Sequence, residues 1–456
     1  MFCQLSLMQL RELLQAKVFS GSKNDRILEI AGVATDTRTL REKDVFVALE
    51  GETFDGHNFL ASAAQKGAIA LIVHKQSEMT LPGNVPLFLV DDTLVAYQKL
   101  ARWWRDRFEI PAIGITGSVG KTTTKELIAA VLATQGRVLK TEKNYNNEIG
   151  VPKTLLQLSS DCDYAVVEMA MRASGEIALL TEIARPTIGV ITNVGTAHIG
   201  RLGSEDAIAR AKCELLEKMP PDGVAILNAD NARLMQTAAR VWQGKTLTYG
   251  LESGDLHGTL VDAQTLEVDG IAFPLPLPGR HNASNYLAAL AVAKVLNLNL
   301  SPLQAGITVN LPGGRSRRLE LPNDILLLDE TYNAGLESTI AALHLLKETP
   351  GQRHIAVLGT MKELGDYSPQ LHQKVGETVK ELGLDRLLVL VNDPEARAIA
   401  VGAEGIPSQC FATHDELVQY LQNFIEPRDR VLFKASNSVG LNRVVEQLTL
   451  SDKTEL

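Results

Sequence analysis

The apolar run Ile110-Pro-Ala-Ile-Gly-Ile115 stops at Thr116-Gly-Ser-Val-Gly-Lys-Thr-Thr-Thr124, beyond which a helical pattern begins. A buried strand that turns through glycines straight into a helix belongs to α/β architectures with mainly parallel strands. Gly117 and Gly120 bracket Ser118 and Val119 in a turn whose backbone amides can face an anion, and the helix N-terminus behind it adds positive potential. Lys121 supplies a point charge for phosphate, Thr122 a hydroxyl for Mg²⁺, and Thr123 a donor to phosphate or to the first helical turn. The common phosphate-loop spacing would need glycine at position 115. Ile115 stands there, which argues against a generic motor ATPase or GTPase.

With 456 residues and 45% hydrophobic content, the chain is long enough for about three domains. A helical pattern at 5–14 and apolar segments at 44–49 and 68–73 read as a small α/β unit over residues 1–92. Strands expected at 164–167, 188–192 and 224–227 alternate with helical stretches at 206–218 and 285–296, so residues 93–314 read as a central domain on a mainly parallel sheet. The turn formers Leu311-Pro-Gly-Gly-Arg315 break that pattern, and strands at 325–328, 355–358 and 387–391 open a third, Rossmann-like unit over 315–456. The last residues, 451–456, are expected to fray.

A formal net charge of −9 argues against a general binder of nucleic acid or of membrane surfaces, and no apolar run approaches the length needed to insert in a bilayer. Cys3, Cys162, Cys213 and Cys410 are scattered without metal-ligand spacing, so reduced thiols and a cytoplasmic location are expected. A monomer is expected as well.

Gly117-Ser-Val-Gly-Lys-Thr-Thr-Thr-Lys-Glu126 resembles the nucleotide loop of the Mur ligases, and the resemblance continues through nearly the whole chain. Asp36-Thr-Arg38, Asp44-Val-Phe-Val-Ala-Leu-Glu-Gly51 and Phe54-Asp-Gly-His-Asn-Phe59 resemble the family's uridine-nucleotide-binding domain, with Thr37 where serine is usual. The resemblance implies substrate contacts from Thr37, Arg38, Asp55 and His57. A hydroxyl and a guanidinium suit a diphosphate or a uracil edge, although residues of this kind also build turns. Thr141-Glu-Lys-Asn-Tyr-Asn-Asn-Glu-Ile-Gly-Val-Pro152 resembles the family's asparagine-rich substrate loop and extends the implication to Asn146 and Asn147, whose amides both donate and accept.

Glu168 follows an apolar strand, where open α/β sheets bind ligands, and its hard carboxylate suits Mg²⁺. The resemblance assigns His198, in Thr192-Asn-Val-Gly-Thr-Ala-His198, to a second Mg²⁺ site. It matches Lys212 to the family lysine that is carbamylated by carbon dioxide, chemistry that requires a neutral amine and hence a lowered pKa. It implies adenine contacts from His281, Asn282 and Asn285 in Gly279-Arg-His-Asn-Ala-Ser-Asn285, a segment that also reads as a capped helix start. In the third unit it implies a phosphate-facing Arg318, flanked by Arg315 and Arg317, and nucleotide contacts from Glu330 and Asn333 in Glu330-Thr-Tyr-Asn-Ala-Gly335. Glu330, Gly335 and Leu336 stand where the family has Asp, Asn and Pro.

The resemblance therefore implies a three-domain α/β ligase of bacterial cell-wall precursor synthesis that uses ATP and Mg²⁺ to form an amide bond, with Lys121, Lys212, His198 and Arg318 in the catalytic set. Thr124-Lys-Glu126 and Arg172-Ala-Ser-Gly-Glu-Ile177 resemble the branch that joins D-alanyl-D-alanine to UDP-N-acetylmuramoyl-tripeptide through an acyl phosphate. The neighbouring branch adds a diamino acid to the dipeptide precursor and carries an Asp-Asn-Pro-Arg segment that residues 315–456 lack. A catalytically silent nucleotide-binding scaffold is the alternative of a different class. Intact Lys121, Glu168, His198 and Lys212 speak against it.

Overall fold

The computed structural model describes residues 3–19, 27–74 and 85–451; beyond Ser451, the segment expected to fray lies outside them. Three α/β units follow one another along the chain. The first carries a five-stranded sheet in the order Lys17–Phe19, Leu87–Val90, Ala70–His74, Asp44–Val47 and Gly32–Ala34, parallel except at its first strand. The helical pattern at its start is only partly realised. Cys3–Ser6 pairs antiparallel with Ile27–Ile30, and the helix Leu7–Leu14 begins after it, where Ser6 and Gln9 bond each other's backbone amides.

The second unit holds nine strands in the order Ile271–Pro274, Thr265–Val268, Leu256–Asp262, Lys245–Gly250, Val224–Asn228, Ile188–Ile191, Ala112–Thr116, Tyr164–Glu168 and Val138–Lys140. Neighbours pair parallel from Val138–Lys140 through Leu256–Asp262, and the last two strands form an antiparallel extension. Ile113 and Ile115 bury toward the helices Lys121–Leu132 and Arg280–Val295, whereas Ala112 buries toward Glu176–Ala184 and Glu205–Lys218. Ala112–Thr116 thus sends its connection to one face of the sheet, while both neighbouring strands send theirs to the other. A crevice opens at the C-terminal ends of strands that part in this way. The helix expected from residue 285 starts earlier, at Arg280, and is buried almost all round, because it packs on the sheet and alongside the Lys121–Leu132 helix.

The third unit has six strands in the order Arg317–Leu321, Ile325–Asp329, Asp429–Lys434, Arg353–Leu358, Arg386–Leu390 and Ser408–Phe411, antiparallel only at the first pair. Leu326, Leu328 and Leu432 pack on one face with the helices Leu336–Glu348 and Ser368–Glu381, while Leu327, Val431 and Phe433 pack on the other with His414–Phe424 and Asn442–Ser451. No helix among the described residues is long and apolar enough to cross a membrane. Cys162, Cys213 and Cys410 are free thiols.

Candidate active site

The turn after Ala112–Thr116 requires its glycines. Gly117 has φ +155°, and a Cβ there would lie 1.9 Å from Thr192 Oγ1; Gly120 has φ +81°, and a Cβ would lie 2.6 Å from Asn285 Oδ1. Not every amide of the turn is free for an anion. Ser118 N–H donates to the Asn193 carbonyl at 3.1 Å and Val119 N–H to Asn193 Oδ1 at 3.0 Å, so the expectation that these amides face phosphate is corrected: they anchor the loop to the next strand's exit. The N–H groups of Gly120, Lys121, Thr122 and Thr123 take no acceptor among the described residues, and the first internal bond runs from Thr124 N–H to the Gly120 carbonyl. These four donors form the anion-binding end of the helix.

Lys121 Nζ curls back on the turn, donating to the Gly117 carbonyl at 2.8 Å and the Ser118 carbonyl at 3.3 Å. Burial pushes its pKa down, opposed by Glu168 and reinforced by Arg315. Glu168 ends the adjacent strand, and its Oε1 accepts from Thr122 Oγ1 at 3.2 Å and Asn146 Nδ2 at 2.8 Å. Its buried Oε2 has no hydrogen-bond partner among the described residues and lies 3.9 Å from Lys125 Nζ. Lys125 is itself buried, donating to the Thr141 carbonyl at 2.8 Å and pairing with Glu126.

His198 has φ +66° and precedes the short helix Ile199–Leu202; its Nδ1 lies 2.5 Å from Glu363 Oε2 of the third unit, without the alignment of a directed hydrogen bond. Burial lowers its pKa, and Lys121 and Lys212 add to that effect. Lys212, buried in Glu205–Lys218, takes no hydrogen bond or ion pair among the described residues, and burial followed by the charge of Lys121 draws its pKa well below the usual lysine range. A carboxylate oxygen free of hydrogen bonds, a hydroxyl and an imidazole whose charged form burial disfavours are a donor set that fits a hard divalent cation. A lowered lysine pKa favours the neutral amine that carbamylation requires. Among the described residues no cluster of three or more His, Cys, Asp or Glu offers another metal site.

Asn282 and Asn285 each commit one amide atom inside the protein. Asn282 Nδ2 donates to the Pro278 carbonyl at 2.8 Å, and Asn285 Oδ1 accepts from Thr124 Oγ1 at 3.1 Å. Both residues are buried; Asn285 ties the Arg280–Val295 helix to the phosphate-loop helix, whereas Asn282 holds the turn that precedes its own helix. His281 instead lines a cavity of about 210 Å³ with Gly279, Arg280, Ala341, His344 and Leu345, drawn from both the second and third units. Burial, then Lys434, pushes its pKa down to about 4.

Arg318 is also corrected. It pairs with Leu328 across the antiparallel register, and the charges it senses are Glu320 and Arg430, which lie toward the N-terminal ends of the parallel strands. The guanidinium whose charge reaches Lys121 is Arg315, which lies over the Tyr332 ring at 4.0 Å and carries a buried Nε without a hydrogen-bond partner among the described residues. Its place beside Pro312-Gly-Gly314 was the signal in the sequence. Glu330 accepts from Ser316 N–H at 3.0 Å, and burial raises its pKa. Asn333 is exposed, and its carbonyl accepts from Lys434 Nζ at 3.0 Å.

In the first unit Thr37 is buried, its carbonyl accepting from Lys66 Nζ at 2.7 Å. Exposed Arg38 forms a forked pair with Asp36, whose pKa falls to about 2 chiefly through those bonds. His57 is fully engaged internally. Its Nε2 accepts from His74 N–H at 2.9 Å, so Nδ1 carries the proton and donates to Asp55 at 2.6 Å, and no ring nitrogen remains for a ligand. Asp55 also caps the short turn that follows it. Asn147 Oδ1 accepts from Gly150 N–H at 2.9 Å at the start of Gly150–Leu155, which leaves only its amide nitrogen outward.

Three family models match the chain: the Mur ligase family catalytic domain over residues 29–105, the Mur ligase middle domain over 115–293, and the Mur ligase glutamate ligase domain over 314–437. The UDP-N-acetylmuramoyl-tripeptide–D-alanyl-D-alanine ligase of Synechocystis is 59% identical over 99% of both chains, and that of Escherichia coli 36% identical over 94% of this chain and 96% of its own. Among solved structures, MurF from Acinetobacter baumannii superposes with a TM-score of 0.87 at 31% identity, covering 98% of this chain and 99% of its own. MurF from Thermotoga maritima in complex with ADP gives 0.83 at 30%, covering 93% and 98%. This chain belongs to the Mur ligase family.

Proposed function

We infer that this protein joins D-alanyl-D-alanine to UDP-N-acetylmuramoyl-tripeptide at the expense of ATP, producing the pentapeptide precursor of peptidoglycan. The observation that carries the reading is the 59% identity over 99% of both chains to a relative named for that reaction. The terminal carboxylate of the tripeptide attacks the γ-phosphorus of ATP and ADP departs, leaving an acyl phosphate. The amine of D-alanyl-D-alanine then attacks the acyl carbon, phosphate leaves, and the nitrogen loses a proton. No protein nucleophile is needed, so the chain's part is positioning and charge neutralisation.

In this reading the free amides of Gly120 to Thr123 hold the phosphates, and Lys121 uncurls from the Gly117 carbonyl to meet them. Arg315 offsets charge on the transferred group. Thr122 and the unpaired oxygen of Glu168 would hold one Mg²⁺, and His198 with a carbamylated Lys212 a second. Bound Mg²⁺ would neutralise phosphate charge and polarise the transferring phosphoryl group. His281 and the cavity around it take the base, while Thr37, Arg38 and Asp55, together with Asn146 and the outward amide of Asn147, face the UDP-sugar peptide. The reaction is placed in the cytoplasm, with the chain acting as a monomer.

Phosphate release from ATP and Mg²⁺ with UDP-muramoyl-tripeptide and D-alanyl-D-alanine tests the reading, with a dipeptide precursor and a free diamino acid in parallel. Release that requires tripeptide plus D-alanyl-D-alanine is expected. Release only with the dipeptide and diamino acid would move the protein to the neighbouring branch, and no release in any arm would sink the reading.

A further inference from the structure

Glu337 stands in the first turn of Leu336–Glu348, in the third unit, and reaches across to the second. Its Oε1 accepts from Thr196 N–H at 2.7 Å and its Oε2 from Thr196 Oγ1 at 3.3 Å. The approach depends on Gly195, where a Cβ would lie 2.4 Å from Glu337 Oε1. The segment it grips is the wall of the phosphate loop. Asn193 takes the Ser118 and Val119 amides, Gly195 N–H donates to Ser118 Oγ at 2.9 Å, and His198 follows. A second contact from the same unit lies just beyond, with Gly200 N–H on the Glu363 carbonyl at 3.2 Å and Tyr367 Oη on the Gly203 carbonyl at 2.9 Å.

We propose that Glu337 is a positioning residue, a latch by which the third unit, when docked, fixes residues 193–198 and through them both the phosphate loop and His198. A carboxylate that accepts an amide and a hydroxyl of one residue gives the contact a single geometry. Kinetic consequences rest on the ligase reading; the structural consequence does not.

The test is amide hydrogen exchange at Thr196 in the full chain with ADP and Mg²⁺, alongside kcat. Glu337→Ala should speed Thr196 exchange and lower kcat, each by roughly tenfold. Glu337→Gln, which can still accept from the amide and donate to the hydroxyl, should recover both to within about threefold of wild type. Gly195→Ala, which crowds the carboxylate out, should reproduce the loss, and the double variant should be no worse than either single change. Wild-type exchange in Glu337→Ala, a glutamine variant as impaired as alanine, or additive losses in the double variant would each overturn the latch. Should Glu337→Ala fail to fold, the Gln and Gly195 variants decide alone. Altered exchange together with absent phosphate release would sink the ligase reading and leave the latch standing.

Discussion

Replacing Arg315 by alanine removes the guanidinium whose field reaches Lys121, and kcat should fall by about 10²- to 10³-fold. Arg318→Ala, on an exposed strand position among Glu320 and Arg430, should stay within about twofold. Steady-state phosphate release on the two variants checks the pair, and the reverse order would restore the sequence-based choice. Lys212 makes a different prediction. Lys212→Ala should lose about 100-fold or more in turnover and regain part of it on adding acetate or another short carboxylic acid, which can stand where the carbamate carboxylate would. A near-wild-type rate without added acid would refute the role. The residue types were legible because hydroxyl, lysine and carboxylate fall at motif positions. Which arginine faces the loop depends on where the strand Arg317–Leu321 begins, since Arg315 stands in the turn before it while Arg318 is held in register with Leu328, and a motif does not contain that boundary.

At the scale of elements, the strand–turn–helix unit around Gly117 and Gly120 is the most constrained part of the molecule. Gly120→Ala would hold a non-glycine residue in the left-handed region, at roughly 1–2 kcal/mol, and would press a methyl group against Asn285 Oδ1. ADP affinity, measured by calorimetry, should fall at least about tenfold. Unchanged affinity would mean that the turn is not the phosphate cradle. The buried strands were legible as apolar runs. The antiparallel extension formed by Thr265–Val268 and Ile271–Pro274 beside Leu256–Asp262 was not anticipated, because its short, partly exposed strands contain no continuous apolar run like those of the buried strands. Its signal was Asp269-Gly270, a pair with φ +50° and +77° that suits a tight hairpin.

For the whole molecule, the cavity at His281 joins the second and third units, and its burial couples stability to pH. The folded pKa of about 4 lies below that of an unfolded histidine, near 6.5, so between those values the unfolded chain binds a proton that the folded chain does not. Stability should therefore decline as pH falls through this window, by on the order of 3 kcal/mol, and level off below it. Urea unfolding midpoints at neutral pH and near pH 5 check this, with His281→Gln expected to flatten the slope; an equal slope in the variant would remove His281 as its cause. The sequence by itself determined an α/β chain, the phosphate loop and the family, since these rest on local patterns: apolar runs, glycines at a turn, and residue types at fixed spacing. Only the tertiary structure decided that Asn282, Asn285 and His57 commit polar atoms inside the protein, that Arg315 rather than Arg318 faces the loop, and that Glu337 grips Thr196. Side-chain partners come from elements far apart in the chain, and their directions are fixed by strand register and by the docking of one unit on another.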